Sequence, residues 1–97
     1  MQTETPDSEK RIVVLVRLRA TDVTGRRRLQ LDRINGYRTA GDVAMLIAGM
    51  MDLPATSRYS LRDSERARML LDDDPLGLQI DESVTPELVV IPHTHLG

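Results

Sequence analysis

The sequence predicts an α+β fold in which one main helix packs across a mixed sheet of four to five strands. Three patterns lead to this prediction: a hairpin near the N-terminus, one amphipathic helix in the middle of the chain, and a continuous apolar run near the C-terminus. A chain of 97 residues suits a single domain with one modest core.

The hairpin follows a leader, residues 1–10, that is polar and lacks a periodic apolar set, so we expect the leader to be disordered and the domain to begin at residue 11. Segment 12–20 is rich in β-branched residues and alternates, which places three aliphatic side chains inward: Val14, Val16 and Leu18. Gly25 suits the turn, and segment 26–32 alternates again as the second strand. The arginines at 26–28 are expected to form a solvated face.

The helix is predicted from a capping residue and an apolar stripe. Thr39 is a good N-cap. After it, apolar residues recur at spacings of three and four, which predicts about three turns with one buried face: Val43, Leu46, Ile47, Met50 and Met51. The sequence Leu53-Pro54 ends the helix.

The second half of the chain predicts short strands and one long buried strand. Segments 59–61 and 69–71 are short and apolar enough to be strands, and the three aspartates at 72–74 are expected to form an ordinary acidic turn. Leu88 to Ile91 is continuously apolar, which is typical of a strand at the centre of a sheet. Pro92 marks its end, so we expect residues 92–97 to be a flexible tail.

These elements close compactly if the last strand lies beside the first and parallel to it, with the helix as a crossover. That arrangement is the β-grasp, and residues 11–97 resemble the ubiquitin family. The resemblance extends to spacing, because five positions in and after the helix match without a gap: Thr39, Val43, Ile47, Leu53 and Pro54. The segment 71–73, a leucine followed by two acids, also has its counterpart in ubiquitin. The resemblance implies a β-grasp domain over residues 11–91.

The sequence departs from ubiquitin in two places that matter for recognition. Ubiquitin ends in leucine, arginine and two glycines, whereas this chain ends in His95, Leu96 and Gly97. The exposed isoleucine on the third strand of ubiquitin aligns with Arg62, so the apolar recognition patch does not carry over. Such divergence looks more like a bacterial ubiquitin-like protein than like eukaryotic ubiquitin, and this resemblance suggests antiviral defence as a process.

The resemblance implies a protein modifier. An ATP-dependent activating enzyme would adenylate the carboxylate of Gly97, pass it to a cysteine as a thioester, and a conjugating enzyme would transfer it to an amine or hydroxyl of a target protein. Those enzymes would recognise the residues before it: Pro92, His93, Thr94, His95 and Leu96. A deconjugating protease would be a further partner. Lys10, the only lysine, is a candidate acceptor for chains.

Three alternatives remain at this stage. A non-covalent β-grasp adaptor, of the secretion-associated type, would use the fold without the tail. A sulfur carrier would form a thiocarboxylate at a Gly-Gly terminus, and the second glycine is missing here. Third, His93 and His95 supply at most half of a zinc site, with no cysteine to complete it, so no metal is expected.

Composition excludes other classes of function. Without cysteine, with both histidines in the tail and without a glycine-rich phosphate loop, the chain is not expected to be an enzyme or to hold a cofactor. The net charge of −2 argues against nucleic acid as the main partner. No stretch has the length and apolar character of a membrane span or signal sequence, so we expect a cytoplasmic protein that does not contact membranes.

Overall fold

The computed structural model describes residues 12–95, so the leader 1–10 with Lys10, and Leu96 and Gly97, lie outside the described residues. The strands are β1 (Leu15–Asp22), β2 (Arg28–Asn35), β3 (Tyr59–Asp63), β4 (Arg68–Met69) and β5 (Glu87–Pro92), and the helix is α1 (Ala40–Met50). Two short 3₁₀ turns complete the set, Leu76–Leu78 and His93–His95. Among the described residues, no helix has the length and apolar character needed to span a membrane.

The five strands form one mixed sheet in the order β2-β1-β5-β3-β4. β1 pairs with β2 as an antiparallel hairpin, and β5 lies parallel to β1 on its other side. β3 pairs antiparallel with β5, so β5 is the central strand of the sheet. The predicted fold class and the parallel pairing of the first and last strands are confirmed.

Helix α1 covers one face of the sheet and the core lies between them. Thr39 caps the helix through its side-chain oxygen, which accepts a hydrogen bond from the Asp42 N–H at 3.1 Å. Alternate residues of the three central strands point to the helix and are buried: Val16, Leu18, Ala20, Leu61, Leu88 and Val90. Residues between them point to the opposite face, which we call the outer face.

The boundaries of the hairpin differ from the prediction. Val14 was predicted to point inward, but it precedes the first paired residue of β1 and its side chain is 53% exposed. The strand begins at Leu15 and continues to Asp22, two residues beyond the predicted end. The second strand likewise begins at Arg28 rather than at residue 26. The turn between them, 23–27, contains Gly25 at φ +74°, as its position in the sequence predicted.

The buried face of α1 is also rotated from the predicted stripe. Val43 and Ile47 are fully buried and Met51 is buried as expected, but Met50 is 54% exposed. The face of the helix that contacts the sheet instead includes two small residues, Ala44 and Ala48, which are both buried. Small side chains allow the helix to approach the sheet closely, and a count of large apolar residues does not register them.

Asp22 holds the turn of the hairpin with its side chain. Its Oδ1 atom accepts a hydrogen bond from the Arg27 N–H at 3.2 Å, and both carboxylate oxygens lie 2.9 Å from the Thr24 hydroxyl. Burial raises the pKa of Asp22, but these hydrogen bonds and the Arg27 guanidinium outweigh burial and bring the pKa below its ordinary value. The ionised carboxylate therefore stabilises the hairpin.

Replacing Asp22 with asparagine is expected to weaken the acid sensitivity of the fold. Because the pKa is lower in the folded state, the stabilisation is complete above the ordinary pKa of aspartate, about 3.9, and is lost as the pH falls through the folded value. Urea unfolding should show wild type more stable than Asp22→Asn at neutral pH, with the difference shrinking below about pH 4. A difference that is constant across this range would show that the charge of Asp22 is not what holds the turn.

Candidate functional site

The candidate site is the base of the C-terminal segment, where β5 ends. β5 is fixed on both sides, by β1 and by β3, and its last residue, Pro92, lies opposite Tyr59 of β3. Pro92 has no N–H to donate, which is why the regular ladder ends there. The chain beyond Pro92 therefore leaves from the central strand of the sheet, a position that the core holds in place.

The residues that follow Pro92 turn against the sheet. His93–His95 form a 3₁₀ turn, whereas the sequence predicted a flexible segment from residue 92 onward. The turn is anchored by His93, whose N–H donates to the Arg58 carbonyl at 2.8 Å. Its ring is anchored as well, because Nε2 lies 2.7 Å from the Ser60 hydroxyl oxygen and 3.5 Å from Oδ2 of Asp72.

The direction of these hydrogen bonds follows from the number of protons. The Ser60 hydroxyl donates to Oδ2 of Asp72 at 2.8 Å, so its oxygen is left to accept from His93. The short contact with His93 therefore requires a proton on Nε2 of the imidazole. Ser60 is 2% exposed, so its hydroxyl has little access to water and depends on these two neighbours.

The Ser60–Asp72–His93 trio contains the residue types of a hydrolytic triad without its geometry. In a triad, the imidazole uses one nitrogen for the serine and the other for the carboxylate. Here the same atom, Nε2, faces both Ser60 and Asp72, and Ser60 is buried. The arrangement fits a structural contact that ties residue 93 to the edge of β3.

Replacing Ser60 with alanine is expected to lower the free energy of unfolding by about 1–3 kcal/mol, because Asp72 loses its short hydrogen bond. The other carboxylate oxygen, Oδ1, is buried without a partner among the described residues, so it cannot compensate. Ser64→Ala is the control, since it removes an exposed hydroxyl that donates to the Glu87 carbonyl at 2.9 Å. Urea unfolding of wild type and both variants measures the effect. If Ser60→Ala were as stable as Ser64→Ala, the trio would have no structural role.

The structure describes only part of the predicted site. Pro92 is the last residue of β5, His93 is half-buried in the trio, and Thr94 is exposed. Leu96, Gly97 and Lys10 lie outside the described residues, so nothing further follows about their positions. Within residues 12–95, no three side chains of the metal-binding types come together as a cluster.

Sequence reasoning missed Ser60 and Asp72. Asp72 was predicted to belong to an acidic turn, and Ser60 to a short strand, with nothing to connect them. They meet because β4 pairs only with Arg62 and Asp63, which leaves the first half of β3 beside the segment that follows β4. The only signal in the sequence is a polar residue, Ser60, between two apolar ones in a strand.

Comparison with known proteins gives a fold and no family. No protein-family model matches the chain, and no curated protein matches its sequence. Among solved structures, the ubiquitin of Caldiarchaeum subterraneum is similar, with a TM-score of 0.60 and 21% identity over 80% of this chain and 92% of that one. The C-terminal ubiquitin-like domain of mouse tubulin-specific chaperone e has a TM-score of 0.52 and 21% identity, over 80% and 86% of the two chains. These similarities show a ubiquitin-like fold.

Proposed function

We propose that this chain, which has a ubiquitin-like β-grasp fold, is a protein modifier whose C-terminal glycine carboxylate, on Gly97, is joined to target proteins. The observation that carries the proposal is the position of β5, the central strand, whose end presents the C-terminal segment from a rigid base. A modifier needs this combination because an enzyme must hold the folded domain while it reaches the carboxylate. The proposal concerns a form of the protein that ends at Gly97.

The proposed chemistry proceeds in four steps. The Gly97 carboxylate attacks the α-phosphate of ATP, which forms an acyl adenylate and releases pyrophosphate. A cysteine thiolate of the activating enzyme then displaces AMP and forms a thioester, which passes to a conjugating enzyme. Finally an amine or hydroxyl of the target attacks the thioester carbonyl and releases the thiol. Glycine favours the later attacks, which occur at its carbonyl carbon, because no side chain obstructs that atom. The protein contributes no catalytic group, and a bacterial pathway of activating, conjugating and deconjugating enzymes is the proposed setting.

The 3₁₀ turn His93–His95 limits how far the C-terminal residues can reach into these enzymes. Only Leu96 and Gly97 follow His93–His95 in the sequence. Fully extended, the residues after Pro92 would reach roughly 17 Å, but with the turn kept the reach is shorter. The activating enzyme must therefore bind the turn as it stands or open it, which breaks the contact of His93 with Ser60.

The proposal is tested by incubating the protein with ATP and a candidate activating enzyme from the same genome, and by following intact mass. Wild type should form an acyl adenylate or thioester with the enzyme, and a form that lacks Gly97 should form neither. Arg26→Ala, in the exposed hairpin turn, is the control and should behave like wild type. If the form without Gly97 is captured as well as wild type, the carboxylate of Gly97 is not the reacting group.

A second candidate function is a non-covalent adaptor, and the observation that favours it is the anchoring of His93 against β3. An adaptor does not need a free tail, and a turn held on the domain is compatible with that. Denaturing the sample without a cross-linker distinguishes the two functions. An adaptor would lose its partners, whereas a conjugated modifier would remain attached to its target.

A further inference from the structure

The outer face of the sheet carries a row of side chains that crosses all five strands. The registers place Arg28 of β2 opposite Thr21 of β1, Thr21 opposite Val89 of β5, Val89 opposite Arg62 of β3, and Arg62 opposite Met69 of β4. We call this set the arginine row. Side chains of one row lie on the same face, so two arginines flank a centre made of Thr21 and half-buried Val89.

The two arginines of the row differ from Arg17 and Arg19, which lie on the same outer face. Arg17 pairs with Asp32 at 3.6 Å, and Arg19 pairs with Glu87 at 3.1 Å. Neither Arg28 nor Arg62 has a carboxylate within 4.0 Å among residues 12–95. The row therefore carries uncompensated positive charge, although the whole chain has a net charge of −2.

The spacing of the row defines what would complement it. Arg28 and Arg62 are three strand intervals apart, which is about 14 Å between backbones. In an extended peptide, residues four apart project to the same side and are also separated by about 14 Å, with the residue midway pointing in the same direction. Beside the row lies a concavity of about 340 Å³, whose polar lining is Arg19, Thr21, Arg28, Gln30, Ser64 and Glu87. Its one carboxylate, Glu87, already pairs with Arg19.

We propose that the arginine row binds an extended acidic segment of a partner protein, with two carboxylates four residues apart and an aliphatic residue between them. The carboxylates pair with Arg28 and Arg62, and the central side chain packs on Val89 and Thr21. A nucleic acid fits less well, because no aromatic side chain stands in the row to stack a base. The proposal goes beyond the modifier function and stands without Gly97.

The test titrates ¹⁵N-labelled full-length protein with a synthetic peptide that has the core Glu-Ser-Val-Ser-Glu. Amide signals of the arginine row should shift, and added salt should weaken binding. The reordered peptide Glu-Glu-Val-Ser-Ser, with the same composition, should bind more weakly because its carboxylates cannot reach both arginines. Equal binding of the two peptides, or no shifts in the row at millimolar peptide, would overturn the proposal.

Charge-reversal variants test the two contacts separately. Arg28→Glu and Arg62→Glu should each weaken binding by about five-fold or more, since an exposed ion pair contributes up to about five-fold and reversal adds repulsion. Arg26→Glu makes the same charge change outside the row and should leave the affinity within about two-fold of wild type. Thermal unfolding of all three confirms that they fold. Equal losses of affinity in the three variants would mean a general charge effect and would contradict the proposal. The proposal would also be contradicted if single-stranded RNA bound the arginine row more tightly than the peptide, because the row would then be assigned to nucleic acid.

Discussion

Replacing Ile47 with alanine is expected to lower the free energy of unfolding by about 2–5 kcal/mol. Ile47 is fully buried at the middle of the face of α1 that packs on the sheet. Truncation removes apolar contacts and leaves a cavity, because the neighbouring alanines, Ala44 and Ala48, have no freedom to fill it. A chain of this size has a total stability of the order of 5–15 kcal/mol, so the variant is expected to unfold at markedly lower urea concentration.

Met50→Ala is the matched control for this prediction. Met50 belongs to the same helix and to the stripe that the sequence predicted to be buried, but it is 54% exposed in the structure. Its replacement is therefore expected to change the stability by less than about 0.5 kcal/mol. If Met50→Ala were as destabilising as Ile47→Ala, the rotation of the helix found here would be wrong and the predicted stripe would be right.

Replacing Gly36 with alanine is expected to cost about 3 kcal/mol, because the added methyl group would overlap the carbonyl of Val13. The obstacle is backbone, so no side-chain rotation relieves it. Gly36 also lies within a chain of backbone hydrogen bonds, donating to the Val14 carbonyl at 2.7 Å and accepting from the Gly77 N–H at 2.8 Å. Three segments are hydrogen-bonded to one another at this point: the residues before β1, the residues after β2 and the 3₁₀ turn Leu76–Leu78. A shift of the Gly36 backbone to make room would disturb these contacts.

Gly49→Ala separates this effect from the general consequence of removing a glycine. A methyl group on Gly49, inside α1, would meet no atom within 4 Å. Alanine is the better helix former, so the variant is expected to gain about 0.5–1 kcal/mol. Urea unfolding should therefore show opposite signs for the two variants, and a Gly36→Ala variant as stable as wild type would contradict the close approach of Val13.

The order of the elements could be predicted because each has its own periodicity. The alternation of Val16 and Leu18 indicated a strand, the spacing from Val43 to Ile47 indicated a helix, and the continuous run 88–91 indicated a central strand. With only these elements, the parallel closure of the first and last strands follows from the need to cover one sheet with one helix. The resemblance to ubiquitin added the connections.

Local patterns could not predict features that depend on distant segments. The direction in which α1 faces is set by how closely Ala44 and Ala48 allow it to approach the sheet, and periodicity alone does not weigh small residues. The contact of His93 with Ser60 and Asp72 depends on the short length of β4, which no pattern near residue 93 records. The arginine row likewise requires the registers of four strand pairs, so the run at 26–28 gave no reason to single out Arg28.

The central claim, that Gly97 is joined to other proteins, is tested most directly by locating the linkage. Cells that express the protein with an N-terminal tag are lysed under denaturing conditions, and the captured proteins are digested with a protease that cleaves after glutamate. Because Glu87 is the last glutamate, a conjugated target carries the remnant Leu88–Gly97 on one of its residues. We predict branched peptides joined through the carbonyl of Gly97 to an amine or hydroxyl, absent from a strain in which Gly97 is deleted. Recovery of Leu88–Gly97 only as a free peptide, from cells in which the candidate activating enzyme is active, would contradict the claim.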